Sequence, residues 1–148
     1  MSTVNVYLNF DGNCEEAFNF YKSVFGGEFP YLGRYKDMPA KDDPNCEPMP
    51  EEIGNKIMHV SLQVSKETAI MGSDTVGEWA PKFQAGNNFS ISLNTDTKEE
   101  ADRLFNGLSA GGQVTMPMEK TFWSDYFGMF TDKFNVNWMV SFNENPEK

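Results

Sequence analysis

Histidine is almost missing from this chain of 148 residues: there is one, His59, beside two cysteines, Cys14 and Cys46. A structural or catalytic zinc centre draws on several imidazoles and thiolates at set spacings, so a Cys/His site is not expected. Neither cysteine stands in a CxxC pair. Both read as small surface thiols, with Cys14 in the first turn of a helix, where the dipole can lower a thiol pKa. Basic side chains are scarce as well, 12 Lys and Arg against 22 Asp and Glu, for a net charge of −10. Nucleic acids and anionic membranes are bound by clustered cations, so neither is an expected partner. No apolar run approaches the roughly 20 residues needed to span a bilayer. The opening MSTVNVYLNF has no basic stretch of a secretion signal, which makes the cytoplasm the expected location. GxGxxG, GxxxxGK[ST], HExxH and GxSxG are all missing, which removes support for nucleotide, zinc-protease and serine-hydrolase chemistry.

What the chain does have is a helix written twice. It is 39% hydrophobic and 14% aromatic, enough for a full core. Asn13 is placed to cap a helix with Glu16 reaching back, and Ala17, Phe20, Tyr21, Val24 and Phe25 follow at the spacing of one helical face. Gly26-Gly27 stops it, since glycine takes the left-handed conformation at little cost. Thr97 and Glu100 repeat the capping box, Ala101, Leu104, Phe105 and Leu108 the stripe, and Gly111-Gly112 the stop. The two Gly-Gly pairs begin 85 residues apart, at positions 26 and 111.

Strands surround each helix. Thr3 to Phe10 alternates, with Val4, Val6, Leu8 and Phe10 on one face and Asn5, Tyr7 and Asn9 on the other. Glu28 to Tyr35 reads as a second strand, Ile57 to Val64 as a third and Ala69 to Met71 as a fourth. Lys36 to Asn55 carries four prolines and no periodicity, a loop long enough to be either a lid or a solvated excursion. After Phe89 to Leu93 and the second helix come Gln113 to Met118, Phe122 to Phe130 and Val136 to Phe142. The expected architecture is α+β, two β-α-β-β-β modules at residues 1–75 and 89–148 joined by a linker at 76–88. Their polar-alternating faces are expected to enclose a concave trough suited to a ligand.

The segments YLNFDGNCEEAFNFYKSVFGGEF, KIMHVSLQV with AIMGSD, and TFWSDYFGMFTDKFNVNW resemble the PhnB-like branch of the glyoxalase/bleomycin-resistance, or vicinal oxygen chelate, superfamily. The resemblance runs in order from Val4 to Phe142. It implies paired β-α-β-β-β modules and commonly a homodimer. Some members of the branch are labelled demethylubiquinone methyltransferase-like, yet nothing in the sequence resembles a loop for S-adenosylmethionine. In metal-using members of the superfamily, four His or Glu side chains from the first and last strands of the modules reach a divalent cation. Those positions fall here on Asn5, Ser90, near Met71 and near Met139. None is an imidazole or a carboxylate, and thioether sulfur is a poor ligand for a hard or borderline cation. The resemblance therefore implies no metal and no cofactor in this chain.

Candidate site residues follow from strand parity. His59 shares the polar side of its strand with Ser61 and Gln63, either as a general base or as a structural hydrogen-bond partner. Asn5, Tyr7 and Asn9 form one polar ladder, and Ser90, Ser92 and Asn94 form its counterpart. Phe122-Trp123 and Trp138 supply aromatic walls for a planar ligand, or else core or dimer packing. Asp125 and Asp132 read as turn residues. Arg34 and Tyr35 stand at the mouth of the trough, for an anionic ligand or a surface ion pair. The resulting expectation is a metal-independent protein that binds an unknown small molecule through Asn5, Tyr7, His59, Gln63, Ser90, Trp123 and Met139. The alternative is a lyase- or isomerase-like enzyme with His59 as its catalytic acid/base or with a non-standard metal set. A third is a filled trough whose dimer surface alone is functional.

Overall fold

A buried carboxylate, Asp74, explains how the first half of the chain is assembled. The structure, a computed structural model, describes residues 2–37 and 49–144, which divide into two compact units at Gln84–Ala85. In the first unit β1 (Val6–Phe10) leads into α1 (Cys14–Phe25), then β2 (Tyr31–Arg34), a single-turn α2 (Glu51–Gly54), β3 (Ile57–Gln63) and β4 (Ala69–Asp74). The sheet order is β1-β4-β3-β2, with β1 parallel to β4 and the other neighbours antiparallel. Asp74 ends β4 at 2% exposure. One carboxylate oxygen accepts the Cys14 amide N–H at the start of α1 (2.9 Å), and the other accepts the Ile57 N–H that opens β3 (2.9 Å).

That contact corrects the local reading of the helix start. Asn13 makes no side-chain cap bond; the side-chain acceptor at this helix start is Asp74, 60 positions from the Cys14 amide that it meets. An anionic oxygen there suits the positive end of the helix dipole. Cys14 is fully buried rather than a surface thiol, and burial first, then the charges of Asp74 and Glu15, push its pKa far up rather than down. The buried helical face also differs from the expected stripe: Phe18 is in the core at 1% exposure, while Phe20 and Phe25 are half-buried. Phe18 finds its room at Gly72, where a Cβ would stand 2.7 Å from the ring.

The second unit repeats the plan with β5 (Ile91–Thr95), α3 (Lys98–Ser109), β6 (Gln113–Glu119), β7 (Tyr126–Thr131) and β8 (Asn137–Phe142). Its order, β5-β8-β7-β6, again has one parallel pair, β5 with β8. This is the expected α+β architecture of two β-α-β-β-β units. Here the capping box is half formed. The Thr97 hydroxyl accepts the Glu100 N–H (3.1 Å), but the Glu100 carboxylate turns to Arg103 (2.6 Å) instead of reaching back. Trp138, Phe130, Phe105, Leu108 and Val140 fill the core. Asp132, 2% exposed, accepts the Phe134 and Val136 N–H groups (2.8 and 3.1 Å) and the Trp138 indole N–H (2.8 Å), which makes it structural, as its turn position suggested.

Cross-strand registers superpose the two units. Tyr7 and Tyr31 match Ser92 and Met116, both 85 positions later, whereas Met71 and Ser61 match Met139 and Met129, both 68 later. The 17-residue difference lies between β2 and β3, in the Pro-rich segment. The pair Val60–Gly72 of the first sheet becomes Gly128–Val140 in the second, so each sheet keeps one glycine under the aromatic ring of its helix, Phe18 or Phe105.

Several boundaries move. β1 begins at Val6, with Val4 98% exposed and no part of the buried face. β2 begins at Tyr31 rather than Glu28, and β7 at Tyr126, because Phe122 to Asp125 forms a loop. The stretch 76–88 contains a 3-10 helix, Gly77–Lys82. Most of the proposed lid falls outside the described residues; its ends are the 3-10 turn Tyr35–Asp37 and α2.

Asp74→Ala leaves two buried amides without an acceptor and is expected to lower the unfolding free energy by roughly 3–5 kcal/mol. Thr97→Ala is expected to cost about 1 kcal/mol, and Asn13→Ala under about 0.5 kcal/mol. Urea melts of the three variants check that order, and equal losses at Asn13 and Asp74 would overturn it. Cys14 is expected to resist a thiol reagent in the native protein and to react once the protein is unfolded, as followed by peptide mass spectrometry.

Candidate functional site

Alternation along β1, β2 and β3 puts Leu8, Val60 and Leu62 under α1 and turns Tyr7, His59 and Ser61 to the opposite face of the first sheet. Register brings a row together there: Tyr7 pairs with Met71, Met71 with Ser61 and Ser61 with Tyr31. The His59 ring lies between two phenols, its centroid 5.6 Å from Tyr7 and 5.6 Å from Tyr31. His59 Nδ1 stands 3.4 Å from the Tyr7 hydroxyl, with donor and acceptor set by the imidazole tautomer. Opposite His59 is Gly33, where a Cβ would meet the Tyr31 hydroxyl oxygen at 2.7 Å; the missing side chain is what lets Tyr31 fold back toward the imidazole. Tyr7 and Tyr31 remain 44% and 50% exposed, so the cluster faces outward rather than serving as core. Two phenols and an imidazole on one open face can stack on a planar group and exchange hydrogen bonds with its polar edge.

The other candidates are distributed differently. Asn5 is exposed just ahead of β1, and Ser90 is half-buried just ahead of β5. The Gln63 amide donates to the carbonyls of Ser65 (2.7 Å) and Lys66 (3.4 Å), tying down its own hairpin. In the second unit Trp123 is 51% exposed and packs edge-on to Phe122 and Phe127, at 4.7 and 5.4 Å. Met139 sits in β8 between Ser92 and Met129. Trp138, by contrast, is a core residue. Tyr31 and Gly33 were missed by parity alone. Their signal was the short aromatic β2, but only its pairing with β3 sets Tyr31 opposite Ser61 and Gly33 opposite His59.

The positions at or near which the family resemblance implies metal ligands do not fit a metal here. Asn5 and Ser90 offer an amide and a hydroxyl, Met71 and Met139 thioethers, a poor donor set for a hard or borderline divalent ion. Among the described residues no three His, Cys, Asp or Glu side chains converge.

A cleft of about 430 Å³ lies elsewhere, at the start of α1, lined by Gly12, Glu15, Glu52, Asn55, Lys56 and Asp74. Its polar groups are largely engaged with one another. Arg34 forms a two-pronged ion pair with Glu15 and donates to the Asn55 carbonyl (2.8 Å), while Lys56 donates to the Gly12 carbonyl (2.7 Å). Arg34 is thus a clasp between β2, α1 and the α2 turn, the ion-pair reading of the sequence. Tyr35 belongs to the same clasp, donating its hydroxyl to the Asp74 carbonyl (2.8 Å). Burial, and then the Asp74 charge, raise the Tyr35 pKa.

A family model described as 3-demethylubiquinone-9 3-methyltransferase matches residues 2–141. Protein YjdN of Escherichia coli is 31% identical over 138 residues, covering 91% of each chain. The crystal structure of protein PA1353 from Pseudomonas aeruginosa is similar at 39% identity and a TM-score of 0.79, over 98% of this chain and all of that one. A putative 3-demethylubiquinone-9 3-methyltransferase, PhnB protein, from Bacillus cereus is 26% identical with a TM-score of 0.71, over 95% and 99% of the two chains. At the level of fold alone, the fosfomycin resistance protein FosX of Listeria monocytogenes aligns at 13% identity and a TM-score of 0.62, over 99% and 96% of the chains.

The Arg34 hydrogen bond holds the Glu15 carboxyl below the usual carboxylate range, with burial opposing it and the charges of Arg34 and Lys56 adding to it. A carboxyl with a lowered folded pKa stabilises the protein above the usual range, and that contribution fades as pH falls through the folded value. Carboxyl NMR titration is expected to place Glu15 below a free glutamate, and Arg34→Ala to return it to the ordinary range. The stability effect will be small, because the pair is partly exposed.

Proposed function

The chain belongs to the 3-demethylubiquinone-9 3-methyltransferase family, the PhnB-like branch of the glyoxalase/bleomycin-resistance superfamily, and from that premise we propose that it binds a small molecule without the superfamily's usual metal ligands. The Tyr7–His59–Tyr31 cluster carries this reading: two exposed phenols in one row with Met71 and Ser61, and an imidazole beside them. Such a surface suits an aromatic or amphipathic compound, with ring stacking for affinity and hydroxyl or imidazole bonds for orientation. Methyl transfer, the activity in the family's descriptive name, draws no support from the residues. Each sheet is mixed with one parallel pair, and among the described residues no glycine-rich loop of the nucleotide-binding kind follows a strand. A homodimer in the cytoplasm completes the reading.

One observation favours a catalytic version of the same site. The His59 Nδ1 to Tyr7 hydroxyl approach of 3.4 Å pairs two groups able to pass a proton, as a lyase- or isomerase-like reaction requires.

A set of planar phenols and aromatic acids titrated into labelled protein is the direct test. Binders are expected to shift the Tyr7, Tyr31 and His59 resonances together, and Tyr7→Ala or Tyr31→Ala to weaken them by about tenfold, the loss of one stacking contact. Binders that perturb only other surfaces would sink the assignment. Zinc, nickel or iron held stoichiometrically through chelation would overturn the metal-independent form. His59→Ala with ligand affinity and turnover intact would end the catalytic one.

A further inference from the structure

The second sheet presents a row of three thioethers on its face away from α3. Met139 pairs directly with Met129, and Met129 with Met116, the last at a single position of β6 with a register shift on either side, across three neighbouring strands. Directly paired positions set Cβ atoms about 4.5–5.5 Å apart on the same face, a separation that flexible methionine side chains can bridge. All three are half-buried rather than core. Met118 is the internal contrast: it belongs to the helix side, where its sulfur lies 2.6 Å from the place a Cβ would take at Gly128. The matching row of the first sheet is Tyr7, Met71, Ser61 and Tyr31, so neither the strands nor the duplication require methionine at these positions.

We propose that Met116, Met129 and Met139 form a binding site for a soft monovalent cation, chemically copper(I). Thioether sulfur is neutral, soft and polarizable, which makes it as good a donor for copper(I) as it is a poor one for zinc or manganese. Three such donors fill a trigonal coordination sphere. Phe127, two residues from Met129 in β7, carries Trp123 packed at 5.4 Å, an apolar wall that suits a weakly hydrated ion. The net charge of −10 favours any cation over an anion. The step is coordination alone, with no change of oxidation state. The site lies in the other unit from the tyrosine–histidine cluster, so either assignment can fail without the other.

Silver(I), a redox-inert stand-in, is titrated into the full chain carrying Cys46→Ser, so that the second thiol does not compete, with methionine methyl groups labelled with carbon-13. The Met116, Met129 and Met139 methyl signals are expected to move together and to saturate near about one equivalent, with Met118 unmoved. Met129→Leu, close to isosteric, is expected to weaken binding at least about tenfold, and Met118→Leu to leave it unchanged. Met116→Leu, in edge strand β6, repeats the measurement should the central substitution unfold the protein. Methyl shifts scattered over all methionines, or a Met116→Leu protein that binds silver(I) as well as its parent, would overturn the proposal. Competition against a copper(I) chelator under anaerobic conditions must give the same three-methyl response, and failure to take copper(I) overturns it too.

Discussion

The first unit depends on one buried carboxylate. Asp74 closes β4, caps α1 through the Cys14 amide and holds the first amide of β3, while its own carbonyl receives the Tyr35 hydroxyl. A charge so far from water is tolerated because each oxygen is met by an N–H donor and one of them stands at the positive end of a helix dipole. The same contact seals Cys14 into the core, where a neighbouring negative charge and low dielectric suppress its ionisation. The second unit solves its assembly differently. Asp132 gathers a turn and the Trp138 indole, and the helix start is left to its own Thr97.

Two copies of one plan have therefore been fastened by different polar centres, and their free faces have diverged further. Register puts Tyr7, Met71, Ser61 and Tyr31 in one sheet at the positions of Ser92, Met139, Met129 and Met116 in the other. One row is phenolic with an imidazole beside it; the other is thioether with an aromatic wall. The helix-facing sides vary less because packing constrains them. In each unit a glycine lies beneath the large aromatic of the helix, Gly72 of β4 under Phe18 and Gly128 of β7 under Phe105, and in each its cross-strand partner is a valine. Outer faces carry no such volume constraint and are free to specialise.

The helices, the strand order of elements and the duplication were legible because they rest on local signals: apolar spacing, Gly-Gly stops and alternation. The helix start at Asn13 misled for the opposite reason. A capping box is a local pattern, and it carries no trace of a carboxylate 60 residues away that meets the first helical amide at Cys14. Tyr7 and His59 were legible from parity, and the sheet does bring them together. Tyr31 was not, since its place beside Ser61 and near His59 is set by the pairing of β2 with β3, 30 positions apart in the chain, which no local signal announces. Gln63 had the right parity but a nearer pair of carbonyls in its hairpin.

The amino-acid sequence by itself determined that the chain is two β-α-β-β-β units, which follows from residue identity and local period; that an amide, a hydroxyl and thioethers stand at or near the places of metal ligands is what the family resemblance implies. Only the tertiary structure decided which side chains become neighbours. The pairing of β7 with β6 and β8 turned scattered methionines into a row, the fold around Asp74 turned a helix-start thiol into a core residue, and Gly33 let Tyr31 reach His59. Cross-strand register and burial are properties of residues far apart in the chain, fixed when the sheets close.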